Sequence, residues 1–166
     1  MTQGSLIRSI QRPDEPAVAR IIRTVMPEFG ADGPGFAIHV AEVDHMFDAY
    51  QRPGAGYWVL EQGGAVVGGG GVAPLDGGPE GVCELRKMYF LPEARGQGWG
   101  ERMLGRCLAA ARDLGYRSCY LETCTGMTAA RSLYGKMGFQ PIPSAMGATG
   151  HCSCDCFYLI DLRSIT

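Results

Sequence analysis

A glycine-rich turn between a strand and a helix is the part of this sequence best suited to bind a phosphate. Residues 83–91 have the composition of a strand, which Pro92 ends because proline lacks the N–H group of a ladder. The turn then reads Arg95-Gly96-Gln97-Gly98-Trp99-Gly100. Apolar residues at helical spacing follow, up to a stop at Gly115: Met103, Leu104, Cys107, Leu108, Ala111 and Leu114. Bare N–H groups and the dipole at such a helix start favour a phosphate or pyrophosphate.

The spacing of these glycines excludes two widespread phosphate-binding patterns. Glu101 stands where the dinucleotide pattern G-x-G-x-x-G needs its last glycine, and no Gly-Lys-Ser or Gly-Lys-Thr ends the loop. The pattern that remains, R-x-x-G-x-G, resembles the loop with which the GNAT superfamily of N-acetyltransferases holds the pyrophosphate of acetyl-CoA. A second segment, residues 130–139, resembles the later A-x-x-L-Y-x-K-x-G-F motif of that superfamily. Two motifs in the expected order are far more specific than either alone.

The reaction that this resemblance implies is transfer of an acetyl group to an amine. An attacking amine must be neutral, and an ammonium group with a pKa of about 10.4 is deprotonated in roughly one molecule in a few thousand at pH 7. A general base therefore contributes to the rate. Glu84 stands where the histone-modifying branch of the superfamily carries its base, and Tyr134 matches the tyrosine that protonates the leaving thiolate. Two structural alternatives stay open, an ion pair of Glu84 with Arg86 or with a charge on a neighbouring strand, and a core position for Tyr134.

Further contacts with the acetyl donor are expected from the main chain of the strand before the loop. The resemblance places backbone groups of Met88, Tyr89 and Phe90 along the pantetheine arm and the thioester carbonyl of acetyl-CoA. One such N–H group would stabilise negative charge on the carbonyl oxygen. Met127 departs from the pattern, because many members have an asparagine there that contacts pantetheine. The reserve polar candidates at the end of the following strand are Glu122 and Thr123.

A cluster of metal-ligand residue types lies near the C-terminus, in the run His151-Cys152-Ser153-Cys154-Asp155-Cys156. Structural zinc sites prefer C-x₂₋₄-C with a second, distant pair of ligands, and that pair is missing here. In an extended segment the three cysteines would share one face, so the favoured interpretation is a row of small side chains packed on the sheet. No metal is therefore expected. His151 is a further candidate for the acceptor pocket, with a structural role as the alternative.

The order of elements predicts a mixed, mostly antiparallel α/β sheet flanked by helices, in a single domain over residues 1–166. Strands are expected at 6–10, 57–61, 65–72, 118–123, 139–142 and 157–162, and helices at 41–50 and 128–137. A further helix is capped by Asp14 and buries a stripe formed by Val18, Ile21, Ile22 and Val25. The glycine run 68–71 inside a strand indicates a bulge or a close backbone approach.

The composition is that of a globular protein without a strong charge bias. The net charge of −2 gives no support to a nucleic-acid binder, and no stretch is apolar enough to span a bilayer. Seven cysteines without a secretory signal indicate reduced thiols and a cytoplasmic location. Acidic residues dominate positions 1–80 and basic residues dominate 81–136. This distribution suits a cationic acceptor and a phosphorylated donor, with plain solvated faces as the alternative.

The sequence therefore predicts a cytoplasmic N-acetyltransferase of GNAT type. It would move an acetyl group from acetyl-CoA to a primary amine of a small molecule or amino-acid-like acceptor, by direct attack in a ternary complex. Two other classes stay open, a CoA-binding sensor without turnover and a zinc domain built on the cysteine row. The acceptor loops, 29–36 and 143–150, carry no motif that names the amine. A homodimer is left open as well.

Overall fold

The chain folds around a seven-stranded sheet with the strand order β1-β2-β3-β4-β5-β7-β6. The computed structural model describes residues 4–28, 41–149 and 154–165. The strands are β1 Ser5–Ser9, β2 Gly56–Gln62, β3 Ala65–Pro74, β4 Val82–Phe90, β5 Ser118–Thr123, β6 Gln140–Ile142 and β7 Cys156–Asp161. Neighbouring strands are antiparallel, except β4 and β5, which are parallel. The predicted mixed, mostly antiparallel sheet is confirmed.

Helices cover both faces of the sheet, and their bounds are α1 Glu15–Glu28, α2 Met46–Ala49, α3 Trp99–Asp113 and α4 Thr128–Lys136. Two apolar clusters lie on opposite faces because successive strand residues point to opposite sides. Tyr57 and Val59 of β2 pack with α1 and α2, whereas Trp58 and Leu60 pack with α3. The predicted stripe of α1 is buried as expected. None of the described helices is long and apolar enough to cross a membrane.

Three local predictions differ from the structure. Leu114 is 47% exposed, because α3 ends at Asp113 and the chain turns away at Gly115, where φ is 95°. The predicted helix at 41–50 is a 3-10 turn, Ala41–His45, followed by the single turn of α2. Asp14 does not cap α1. Its carboxylate accepts hydrogen bonds from the backbone N–H of Gln11 and from the guanidinium of Arg8, and it lies in a 3-10 turn before the helix.

The glycine run in β3 accommodates both a bulge and close neighbours. The β3–β4 register shifts between Gly69 and Gly71, so that two residues of β4, Lys87 and Met88, face the single Gly70. A Cβ atom on Gly71 would lie 2.5 Å from the backbone oxygen of Gly56. Both predicted explanations for the glycines are therefore confirmed, and the bulge lies in the middle of β4.

The parallel strands β4 and β5 separate soon after they meet. Their ladder covers Val82–Glu84 and Ser118–Tyr120, although β4 continues to Phe90 and β5 continues to Thr123. On its other side β5 stays paired with β7 along its whole length. The two strands therefore leave a wedge-shaped cleft between the later part of β4 and the end of β5, and the candidate site residues gather there.

Candidate active site

The glycine loop joins β4 to α3 and leaves the start of that helix without a side-chain cap. After β4 the chain makes a 3-10 turn, Pro92–Ala94, and then passes Gly96 and Gly98, whose φ angles are 73° and 85°. Gly98 is the N-cap residue of α3, and no side chain in the described part of the protein caps the first turn. The N–H groups of that turn are therefore available to an anion, and the helix dipole favours negative charge there.

Side-chain contacts fix the shape of this loop. The Nε atom of Arg95 donates a hydrogen bond to the backbone oxygen of Phe90 at 3.0 Å, and its guanidinium pairs with Glu28 at the end of α1 at 2.9 Å. Gln97 donates to the backbone oxygen of Glu93 at 2.8 Å and accepts from the indole N–H of Trp99. The loop is thus held against β4 and α1 by its own side chains, with its backbone turned toward α3.

A groove of about 740 Å³, partly open to solvent, runs from this loop toward the cleft. Five of the six loop residues line it: Arg95, Gly96, Gly98, Trp99 and Gly100. The side chain of Gln97 does not line the groove and instead contacts Glu93 and Trp99. The strand residues Met88, Tyr89 and Phe90 form one wall, and α4 forms the other with Ala130, Leu133 and Tyr134. The cofactor-binding candidates other than Gln97 therefore share one mostly apolar groove.

The groove continues into the cleft between β4 and β5, which encloses about 630 Å³. Met88, Tyr89, Met127 and Tyr134 line both spaces, so the two are continuous. The bulge in β4 lies at this junction. Lys87 has a φ of 50°, and the hydroxyl of Tyr57 donates a hydrogen bond to its backbone oxygen at 2.7 Å. The bulge therefore changes the direction of the β4 backbone where it lines the cleft.

Glu84 lies in the cleft and also forms the ion pair that the structural alternative predicts. The residue is 2% exposed, and its Oε1 atom accepts a hydrogen bond from Nε of Arg86 at 2.7 Å. Burial alone would lower the pKa of Arg86, but the neighbouring carboxylates raise it, so the guanidinium stays charged. The pairing and the position in the cleft coexist, because Glu84 and Arg86 both line that space.

Tyr134 lies on α4 where the groove meets the cleft. It is 7% exposed, and its ring packs against Phe139 and Tyr158 at centroid distances of 5.8 and 6.1 Å. Burial raises the pKa of Tyr134, so the phenol remains protonated at neutral pH. Its packing is therefore that of a core residue, and its position and protonation state are compatible with the predicted role of proton donor.

The reserve candidates differ in how they are placed. Glu122 lines the cleft and accepts hydrogen bonds from the hydroxyls of Tyr120 and Thr149, both at 2.6 Å. Thr123 also lines the cleft and donates to the sulfur of Met127 at 3.4 Å, the residue that replaces the motif asparagine. His151 lies outside the described residues.

A second charged region, the outer pocket, shares Glu84, Arg86 and Lys87 with the cleft. It encloses about 780 Å³ and is lined by Glu42, Ala49, Arg52, Asp76, Glu84, Arg86, Lys87 and Thr149. Lys87 has a side chain that is 2% exposed and forms an ion pair with Glu42. Burial lowers the pKa of Lys87, and the carboxylate of Glu42 opposes that shift. This pocket was not predicted from the sequence, although two adjacent cations inside a buried strand, Arg86 and Lys87, were a signal for it.

The described cysteines are all free thiols. Cys124 and Cys154 line the cleft, and burial raises the pKa of Cys154 to about 12. Within the described ranges, the one group of three metal-ligand side chains is Glu15, His45 and Asp48, where Asp48 already pairs with Arg12 at 2.9 Å. Residues 150–153 lie outside the described chain, so the interpretation of the cysteine row stays a prediction.

Comparison with known proteins identifies the family. The family model for the acetyltransferase (GNAT) family matches residues 19–139 of this chain. This chain belongs to the GNAT family. The uncharacterized N-acetyltransferase YjgM of Escherichia coli K12 is 41% identical over 161 residues, which cover 96% of each chain. The predicted family and enzyme class, an acyltransferase, are confirmed.

Solved GNAT structures share the fold at low sequence identity. A GNAT-family acetyltransferase from Staphylococcus aureus superposes with a TM-score of 0.84 at 18% identity, over 96% of this chain and 99% of that one. The protein yncA of Salmonella typhimurium, solved with its cofactor acetyl-CoA, has a TM-score of 0.77 at 20% identity, over 98% of this chain and 96% of that one. The seven-stranded sheet and its helices are therefore those of GNAT acetyltransferases.

Proposed function

We propose that this protein transfers an acetyl group from acetyl-CoA to the primary amine of a small molecule or amino-acid-like acceptor. The observation that carries the proposal is one continuous path. It begins at the glycine loop, follows the groove past Tyr134 into the cleft at Glu84, and ends in the charged outer pocket. A donor and an acceptor entering from opposite ends would meet between Tyr134 and Glu84.

The loop and the groove fit the donor chemically. The uncapped N–H groups of the turn after Gly98 suit a pyrophosphate. Apart from the chain neighbours, no atom of the described residues lies within 4 Å of a Cβ atom built on Gly96 or Gly98. The mostly apolar groove beyond the loop suits a pantetheine arm. The β4 backbone at Met88 to Phe90 lines that groove, so its N–H groups are the donors available to the thioester oxygen.

Glu84 is the proposed base, and Tyr134 is the proposed acid. Direct attack forms the bond from the amine nitrogen to the acetyl carbon and breaks the bond from that carbon to sulfur. The carboxylate of Glu84 accepts the proton from the amine, directly or through water. Tyr134 gives its proton to the departing thiolate. The acid is the smaller contribution, because a thiol with a pKa of about 8.5 leaves tolerably without help.

The test is a screen of amines for release of free CoA from acetyl-CoA, with the acetylated product confirmed by mass spectrometry. We expect turnover of at least one class of primary amine. A protein that binds acetyl-CoA in calorimetric titration but acetylates no amine would instead be a CoA-binding sensor, which is the alternative function.

A further inference from the structure

Apart from Arg52, the side chains that line the outer pocket carry more negative than positive charge. The cations Arg86 and Lys87 line the pocket together with three carboxylates, those of buried Glu84, half-buried Glu42 and Asp76, whose side chain is 59% exposed. Lys87 pairs with Glu42, whereas Arg86 is shared between Glu84 at 2.7 Å and Asp76 at 3.3 Å. These five groups together carry one more negative than positive charge, which favours an ammonium group.

Arg52 supplies the opposite charge at the rim. It lines the same pocket, is exposed, and has no hydrogen bond or ion pair from its guanidinium to any described residue. A guanidinium presents paired N–H donors that match a carboxylate in a bidentate arrangement. An anionic group at the rim would therefore meet a cation that no described carboxylate pairs with.

The backbone beneath Arg52 is held in one conformation. The N–H of Ala55 donates to the backbone oxygen of Arg52 at 3.3 Å, which closes a turn over Pro53 and Gly54. Gly54 has a φ of 80°, and its backbone oxygen accepts a hydrogen bond from the hydroxyl of Tyr116 at 2.6 Å. A Cβ atom on Gly54 would lie 2.5 Å from that hydroxyl. The turn thus fixes the base of the Arg52 side chain at the rim of the pocket.

We propose that the acceptor is an amine that also carries a carboxylate, as a free amino acid does, and that Arg52 binds that carboxylate. The inference rests on the proposed acetyl transfer. The ammonium end lies among these carboxylates and reaches Glu84, which also lines the cleft, while the carboxylate end stays beside Arg52 at the rim. Arg52 is then a specificity-determining residue that contacts the acceptor and leaves acetyl-CoA untouched.

The experiment compares free amino acids with the corresponding amino acid amides as acceptors. The wild-type protein should favour the free acids in kcat/KM. Arg52→Met should lower kcat/KM for the acids by roughly 10- to 100-fold, mostly through KM, and should leave the amides unchanged. Arg52→Lys should restore part of the loss, because it keeps the charge without the fork. Arg20→Ala, an exposed arginine on α1 that lines none of the three spaces, is the matched control.

Three outcomes would overturn the inference about Arg52. Equal turnover of acids and amides by wild type and Arg52→Met would overturn the inference and leave acetyl transfer intact. An equal loss with both acceptors would also overturn it, since Arg52 would then act on the fold or on the donor. Failure of the wild type with every amine would overturn the proposed function and this inference with it. Thermal unfolding and acetyl-CoA titration of each variant check that it is folded.

Discussion

Glu84 and Arg86 stand two positions apart on β4, so their side chains leave the same face of the sheet. The 2.7 Å contact between them holds the carboxylate at the wall of the cleft instead of leaving it to rotate. The guanidinium is itself held, because it also donates to the backbone oxygen of Pro74 at 3.3 Å. Arg86 is therefore a positioning residue in the proposed reaction, and the base and its support come from one strand.

Removal of the proposed base should produce a pH-dependent loss. Glu84→Gln keeps the size of the side chain, and we expect turnover to fall by roughly 10²- to 10⁴-fold at pH 7. The loss should shrink as pH rises, because more of the acceptor is then already neutral. Acetyl-CoA affinity should stay near that of the wild type. Measurement of kcat/KM against pH, with exposed Glu80→Gln as the control, checks this. Full activity of Glu84→Gln at neutral pH would transfer the role to another group, with Glu122 next.

Removal of the proposed acid should produce a smaller loss without that rescue. Tyr134→Phe should cost less than Glu84→Gln, and a higher pH should not restore the activity. Because burial raises the pKa of Tyr134, the phenol stays protonated through neutral and mildly alkaline pH and should add no limb to the profile there. Tyr158→Phe is the matched control, since its ring contacts Tyr134 but lies outside the groove and cleft. Recovery of Tyr134→Phe at high pH would contradict the assigned role.

Among the elements, the loop and α3 act together as the expected donor site. Gly100→Glu would add an anion beside the pyrophosphate, and its Cβ atom would lie 3.1 Å from Leu133. We expect acetyl-CoA binding to fall below detection in calorimetric titration. Gly98→Ala should weaken binding through the loop conformation, since a φ of 85° costs an L-residue about 1–2 kcal/mol.

A glycine further along the same helix offers the matched control for these loop variants. Gly105 lies inside α3, and nothing lies within 4 Å of a Cβ atom built there. Gly105→Ala should leave acetyl-CoA affinity unchanged and stabilise the helix by up to about 1 kcal/mol. Wild-type affinity in Gly100→Glu would show that the loop does not bind the donor.

The elements that could be predicted from sequence are those whose pattern is local. The apolar period of α3 and the strand β5 are visible in consecutive residues, and both lie where they were expected. The outer pocket is different, because Lys87 meets Glu42 from forty-five positions away and only the folded sheet brings them together. The helix predicted at 41–50 was wrong over its first half. Its inward residues pack as a helix would, but the backbone makes a 3-10 turn before α2.

For the molecule as a whole, the thiols should report on global unfolding. Cys83, Cys107 and Cys119 lie in the core, and burial raises the pKa of Cys107, which suppresses the reactive thiolate. We expect these three to resist a thiol reagent in the native protein and all seven cysteines to react after unfolding without oxidant. The labelling rate of the core thiols in urea should follow the loss of the sheet signal. Fast native labelling of Cys107 would contradict this packing.

Metal content tests the cysteine row in the intact chain. The missing second pair of ligands predicts less than stoichiometric zinc in the purified protein. Elemental analysis after dialysis measures it directly. One zinc per chain that resists dialysis would show that residues 151–156 form a metal site.

The sheet consists of two parts, β1 to β4 and the trio β5, β7 and β6, which are joined by three residue pairs between β4 and β5. Each further residue pair between β4 and β5 would narrow the cleft in which donor and acceptor are proposed to meet. The binding space is therefore open because β4 and β5 make no further backbone hydrogen bonds with each other at the centre of the sheet. A ligand bound between the two parts of the sheet would stabilise the fold by mass action, because it binds only when both parts are folded. A substitution that added residue pairs between β4 and β5 would raise stability and lower activity, which is the usual relation between the two.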